Sequence, residues 1–264
     1  MKLRDRLPDQ REVQVWFVDL AASMASVEAC FHSLSAAERD RASQFCSEKL
    51  KNAFTLSRGI LRALLGAYLG SEAGCLRFAY GLRGKPRLAF PETPLTFNLA
   101  HSGKFAAYAF AVGCEVGVDI EEIRPMRDQE EVVRRFFARE ECEEWLTLDP
   151  AQRDAGFYRG WTRKEAFIKA LGDGLSVPLD SFRVSLRPEA PAKLLHVDKD
   201  PAAAGRWSLF SLIPADGYIG ALAMAERNRV VSILPRMTAA EVLKIASGPG
   251  PFPPLAKEVV AAPA

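Results

Sequence analysis

Two carboxylates stand two residues apart in Gly117-Val-Asp119-Ile-Glu121. In an extended chain such residues project to the same side, so Asp119 and Glu121 share one face while Val118 and Ile120 suit burial on the other. Neighbouring acids repel unless a proton or a cation lies between them, and a hard cation such as Mg²⁺ takes oxygen ligands of this kind together with phosphate and water. Taken alone, the pair also reads as a solvated edge beside Glu122 and Arg124. A second group lies in Trp161-Thr-Arg-Lys-Glu165-Ala-Phe-Ile-Lys169. On a helix Trp161, Glu165 and Lys169 fall at i, i+4 and i+8 along one side. By itself Glu165 with Lys169 is a surface ion pair worth roughly 0.2–0.5 kcal/mol. His101, in Phe97-Asn-Leu-Ala-His-Ser-Gly103 beside Lys104, suits phosphate binding or proton transfer. Arg83 and Lys85, in the turn Gly-Leu-Arg-Gly-Lys-Pro86, offer a phosphate both charge and exposed backbone N–H groups.

These side chains need elements to hold them. Val13, Val15 and Phe17 alternate with Gln14 and Trp16, which predicts a half-buried strand. Ser35-Ala-Ala-Glu38 is a capping box at the head of one helix, and a longer helix over about 51–69 carries Leu61, Leu64, Leu65, Tyr68 and Leu69 at helical spacing. Runs over 95–100 and 105–112 predict a hairpin with His101-Ser-Gly-Lys104 at its tip, and 116–121 predicts a third strand. Helices are predicted over 128–137, 139–148 and 155–171, the last stopped by Gly172-Asp-Gly174, with strands over 182–186, 207–213 and 218–224. The order strand, helices, strands occurs twice. An α+β protein of two comparable lobes, 1–114 and 115–246, with the site between them follows from that order. The Pro- and Ala-rich stretch 247–264 reads as a disordered tail.

Composition narrows the classes further. With 264 residues, 48% apolar and 26% charged, the chain has ordinary globular proportions, which excludes disordered, collagenous and coiled-coil classes. Lys plus Arg number 35 against 33 Asp plus Glu, so no global charge points to nucleic acid or a membrane surface. The five cysteines form no CxxC pair, which argues against a disulfide framework or structural zinc and suits a reducing cytoplasm. The N-terminus lacks an apolar h-region, and no apolar run approaches the ~20 residues that span a bilayer.

Taken together the motifs resemble the 4′-phosphopantetheinyl transferases, specifically the larger type that activates nonribosomal peptide and polyketide synthases. The matching pieces are Gly84-Lys-Pro86, Phe97-Asn-Leu-Ala-His-Ser-Gly103, Gly117-Val-Asp-Ile-Glu121 and Phe157-Tyr-Arg-Gly-Trp-Thr-Arg-Lys-Glu-Ala-Phe-Ile-Lys169, continuing to Phe182, with weaker similarity over 35–69. The resemblance implies two pseudo-symmetric α/β lobes and a monomer. It implies transfer of the phosphopantetheine arm of coenzyme A to a serine of an apo acyl or peptidyl carrier protein, with Mg²⁺ in the cleft and 3′,5′-adenosine bisphosphate released. By position, Asp119, Glu121 and Glu165 are then the metal ligands. Lys169 sits by the phosphates and protonates the leaving group, and His101, Lys85 and Arg83 contact coenzyme A. Glu165 or Glu141 takes the serine proton, and both remain open. Ala100 stands where a relative has a serine that helps bind coenzyme A, and at the adenosine end Glu38 replaces a lysine of that relative, while Arg41 keeps a basic position and Arg58 and Arg62 follow on the next helix. Arg124, Met126, Arg127, Arg134 and Arg135 are candidates for contact with an acidic carrier helix. The competing classes are a Mg²⁺-dependent phosphoesterase and a non-catalytic protein that binds coenzyme A or carrier.

Overall fold

A computed structural model of the chain describes residues 7–21, 23–82, 84–172, 177–226 and 229–248. Strand β1 (Glu12–Asp19) lies at the centre of the first sheet. The helix α1 (Met24–Ser33), the short helix α2 (Ala36–Ser43) and the long helix α3 (Glu48–Leu69) follow it. Each has a serine N-cap, Ser23, Ser35 and Ser47, and α2 carries the expected Ser35–Glu38 capping box. A small ladder of β2 (Arg77–Tyr80) and β3 (Pro86–Phe90) leads to the hairpin of β4 (Leu95–Ser102) and β5 (Phe105–Val112). Strand β5 has the predicted bounds, whereas β4 runs two residues past its predicted end, so that His101 and Ser102 belong to β4 and only Gly103-Lys104 turn the chain. Gly103 sits at φ +55°, where a side chain is strained.

The second sheet has the order β6 (Val116–Glu122), β10 (Tyr218–Met224), β9 (Ser208–Leu212), all antiparallel. Between β6 and β9 come α4 (Gln129–Phe136), α5 (Arg139–Leu146), α6 (Pro150–Leu171), the ladder β7 (Phe182–Val184) with β8 (Leu194–Val197), and the single turn α7 (Ala203–Arg206). Helix α6 starts five residues before the predicted bound. Asp149 caps it by accepting from the Ala151 N–H at 2.9 Å, and Pro150 opens it.

The chain then returns to the first sheet. Strand β11 (Val230–Ile233) and β12 (Met237–Thr238) pair in parallel with β1, and α8 (Ala239–Ser247) packs beside α3. The division at 115–246 therefore needs correction, because 230–247 completes the first lobe. Parallel pairing over more than two hundred residues leaves no local signal, although Thr238–Glu241 is a capping box. The proposed tail from 249 onward lies outside the described residues, and Ser247 itself closes α8.

Burial explains why β1 is not half-exposed as its alternation suggested. Trp16 and Val18 enter a core with Ile60, Leu61, Leu64 and Leu65 of α3, whereas Val13, Val15 and Phe17 enter a second core with Val118, Ile120 and Leu222 of the other sheet. Gln14, although polar, is buried on the helix side and accepts from Tyr68 Oη, which in turn accepts from Trp16 Nε1 at 2.9 Å. On the far face of the second sheet, Ala166, Phe167 and Ala170 of α6 cover Ala221 and Ala223. That contact is very close at Gly117, where an added Cβ would lie 2.1 Å from the Ala166 carbonyl oxygen and 2.3 Å from the Ala170 nitrogen. A glycine is what lets α6 lie directly on β6.

Candidate active site

The close approach at Gly117 brings α6 against the carboxylate strand. Along α6 the residues Trp161, Glu165 and Lys169 form a half-buried stripe between fully buried neighbours. Lys169 Nζ lies 2.6 Å from Asp119 Oδ1, and Asp119 is only 4% exposed. Its other oxygen, Oδ2, is buried without a hydrogen-bond partner. Burial, partly offset by the Lys169 ammonium, pushes Asp119 up to about 6. Burial also raises Glu121, against a lowering hydrogen bond from Ser102, and raises Glu165, against the charge of Lys169. Burial opposes the charge on Lys169, yet Asp119, Glu165 and Glu121 together hold its ammonium above the ordinary lysine value.

Asp119, Glu121, Glu165 and Lys169 thus form one electrostatically coupled group. Among the described residues, however, no three His, Cys, Asp or Glu side chains converge closely enough to make a metal site by themselves. The donor set still fits a hard divalent cation. Such an ion needs only one or two carboxylates when phosphate and water supply the rest, and Asp119 Oδ2 is a buried anionic oxygen with nothing bound to it.

His101, near the end of β4, is lowered from its ordinary value by desolvation and then by the charges of Lys169 and Arg58. Arg58, on α3, lies 5.8 Å from the centre of the Phe54 ring, and Arg41 lies 5.7 Å from the same ring. One terminal nitrogen of Arg58, Nη1, is buried and has no hydrogen-bond partner, and burial lowers this guanidinium. Glu38 does not leave a gap at this end. Its carboxylate is buried against Arg62, whose Nε lies 2.8 Å from Oε2, while Arg62 Nη1 donates to the carbonyls of Ala73 and Leu76. Arg62 is consequently committed to the fold.

Two further expected contacts are placed elsewhere. Lys85 Nζ donates to Glu115 Oε2 at 2.6 Å, to the Ala170 carbonyl at 2.9 Å and to the Val116 carbonyl at 3.3 Å, which fills all three donors and braces the C-terminal end of α6. Glu141 is not brought to the carboxylate group. It is buried, with Oε2 on the Ala138 N–H and 2.7 Å from Lys164 Nζ, and Oε1 on the Val184 N–H at 2.7 Å. Its proximity in sequence to the helices of the site reflects this structural pairing rather than access to a substrate. Arg83 lies outside the described residues. Sequence reasoning passed over Asn98, whose Oδ1 accepts the Val118 N–H at 2.9 Å and joins the two sheets, and Ser102, which donates to Glu121 at 2.7 Å. Both stand inside the Phe97–Gly103 motif, and only the three-dimensional pairing of β4 beside β6 reveals their use.

Comparison with known proteins assigns the chain to a family. Residues 115–223, which hold the carboxylates and α6, match the family model for the 4′-phosphopantetheinyl transferase superfamily. The chain is 39% identical to the 4′-phosphopantetheinyl transferase HetI of Nostoc sp. over 216 residues, covering 81% of this chain and 88% of that protein. It is 30% identical to the 4′-phosphopantetheinyl transferase Sfp of Bacillus subtilis over 179 residues, covering 67% of this chain and 78% of that one. The solved structure of Thermotoga maritima holo-[acyl-carrier-protein] synthase overlaps 42% of this chain and 62% of its own, at 27% identity and a TM-score of 0.34. The chain belongs to the 4′-phosphopantetheinyl transferase superfamily. It is an enzyme that transfers 4′-phosphopantetheine to carrier proteins, and its coverage of HetI and Sfp places it with the larger members. Among the described residues no helix is long and apolar enough to cross a membrane.

Proposed function

We propose that the cleft between the β4–β5 hairpin and α6 binds coenzyme A with Mg²⁺ and delivers the phosphopantetheine arm to a serine hydroxyl of an apo acyl or peptidyl carrier protein. The observation that supports this is Asp119, buried with one oxygen on Lys169 and the other unpartnered, in one group with Glu121 and Glu165. Asp119, Glu121 and Glu165 would hold the metal, with phosphate and water oxygens completing its ligands. When bound, Mg²⁺ neutralises and polarises the pyrophosphate oxygens.

The chain's own residues do the rest. His101, neutral at pH 7, hydrogen-bonds a phosphate without adding charge, and Arg41 and Arg58 take the adenosine end through their guanidinium groups. The carrier serine attacks the β-phosphate, and the bond from that phosphorus to the bridging oxygen breaks. Glu165, raised by its surroundings, accepts the serine proton, and Lys169, held protonated, donates from Nζ to the departing 3′,5′-adenosine bisphosphate. Lys85 serves by fixing the end of the helix that carries both groups. The exposed Arg127 and Met126 after β6, with Arg135 on α4, form the basic and apolar surface for the carrier. The enzyme acts as a cytoplasmic monomer.

The test is the intact mass of an apo carrier protein after incubation with the enzyme, coenzyme A and Mg²⁺. A gain of one phosphopantetheine group, abolished by a chelator, is the expected result. Binding of coenzyme A with no mass gain on several carriers would overturn the reading.

A further inference from the structure

We infer that Ser102 is a positioning residue for Glu121, setting the carboxylate so that its second oxygen is available to a divalent cation. This rests on the reading of Glu121 as a metal-holding group. The Ser102 hydroxyl has one proton and directs it to Glu121 Oε2 at 2.7 Å. It cannot rotate away freely, because the same oxygen accepts the Glu122 N–H at 3.1 Å. Among the described residues no other group donates a hydrogen bond to the Glu121 carboxylate. A glutamate has three side-chain torsions, so one directed donor decides whether its carboxylate waits in one place or samples many.

The two residues come from different sheets, Ser102 from the end of β4 and Glu121 from β6. The hairpin tip is seated firmly enough to make the contact a defined one. At Gly103 an added Cβ would lie 2.3 Å from Tyr218 Oη and 2.4 Å from Glu122 Oε2, so the turn rests on the second sheet with no space between. The Lys104 N–H also donates to Tyr218 Oη at 3.3 Å, and the Phe105 ring meets the Tyr218 ring edge-on at 4.9 Å. Successive strand residues face opposite ways. His101 and Ser102 therefore place a phosphate-facing group and a carboxylate-orienting group on consecutive positions of one strand, and a shift of the hairpin moves both.

The experiment titrates Mn²⁺, in the presence of coenzyme A, into the parental enzyme and into Ser102→Ala, Ser102→Thr and Glu121→Ala, reading the dissociation constant by calorimetry and thermal midpoints alongside. Ser102→Ala is expected to weaken Mn²⁺ binding about tenfold, the usual scale for losing a group that orients a metal ligand. Ser102→Thr, which keeps the hydroxyl, is expected to bind close to the parental value, and Glu121→Ala to bind more weakly than either. If Glu121→Ala weakens binding while Ser102→Ala does not, the positioning role is overturned and the ligand reading stands. If Glu121→Ala leaves Mn²⁺ affinity unchanged, the ligand reading fails and takes the positioning role with it. A Ser102→Ala enzyme that melts earlier yet binds Mn²⁺ normally would make the contact purely structural and would also overturn the inference.

Discussion

Two lysine–carboxylate pairs sit five residues apart on α6, and they are completed to different degrees. Lys164 is fully buried and donates to the carbonyls of Leu179 and Phe182 and to Glu141, at 2.7, 2.6 and 2.7 Å. Glu141 is likewise filled, with two backbone N–H groups besides the lysine. Every donor and acceptor of that pair has its partner inside the protein. Lys169 with Asp119 looks similar at first, an ammonium 2.6 Å from a buried carboxylate. Here, however, one carboxylate oxygen is left unpartnered, and two further acids add negative charge that the lysine alone does not balance. Burial and pairing are common to both. The unfilled valence is what separates a place for a ligand from a structural clasp.

The largest effect that would sharpen this contrast is on turnover. Asp119→Asn is expected to lower carrier loading about a thousandfold, since several kcal/mol of charge stabilisation at the phosphates is lost and each ~1.4 kcal/mol is tenfold. Its thermal midpoint should move little, and a near-parental rate would place the metal elsewhere. Lys169→Met is expected to cost about a hundredfold in turnover, the scale of losing one donor to a developing oxyanion. The closed pair should behave in the opposite sense. Glu141→Gln is expected to lose about 3 kcal/mol of folding stability, because Lys164 is left buried without its counter-charge, while the folded fraction keeps most of its rate. Denaturant unfolding beside carrier loading separates the two. Abolished turnover at unchanged stability would make Glu141 the base and erase the distinction between the pairs.

The smallest effect concerns protons. His101 is lowered in the folded enzyme, so between its folded value and the unfolded value of about 6.5 the folded state binds fewer protons. Its contribution to stability is present above pH ~6.5 and is lost as pH falls towards the folded value. An NMR titration should find a histidine signal titrating below the ordinary range that is absent in His101→Asn. A His101 signal titrating near pH ~6.5 would show that neither desolvation nor the charges of Lys169 and Arg58 act on it as placed.

Much of the site was legible because its information is local. Two-residue spacing put Asp119 and Glu121 on one face, and four-residue spacing put Trp161, Glu165 and Lys169 in one stripe. What periodicity does not carry is the identity of a partner. Lys164 and Glu165 are adjacent in sequence and have different surroundings, one in a closed pair and one beside the charges of Lys169 and Glu121, and no spacing rule distinguishes them. Ser102 reads as a turn residue until β4 lies beside β6. For β1 the alternation was real but the inference from it was incomplete, since helices cover one face and a second sheet covers the other. The early start of α6 was written in Asp149-Pro150, a cap and a helix-opening proline that the apolar pattern overshadowed.

The return of β11 to β1 makes the whole second lobe an insertion within the first. During synthesis β1 leaves the ribosome before every strand of the second sheet, yet its parallel edge stays unpaired until residue 230 has emerged, after all of them. The lobe that carries the carboxylates can therefore form its own sheet while the other still has an open edge, and that edge is where a nascent chain of this enzyme is most exposed to mispairing.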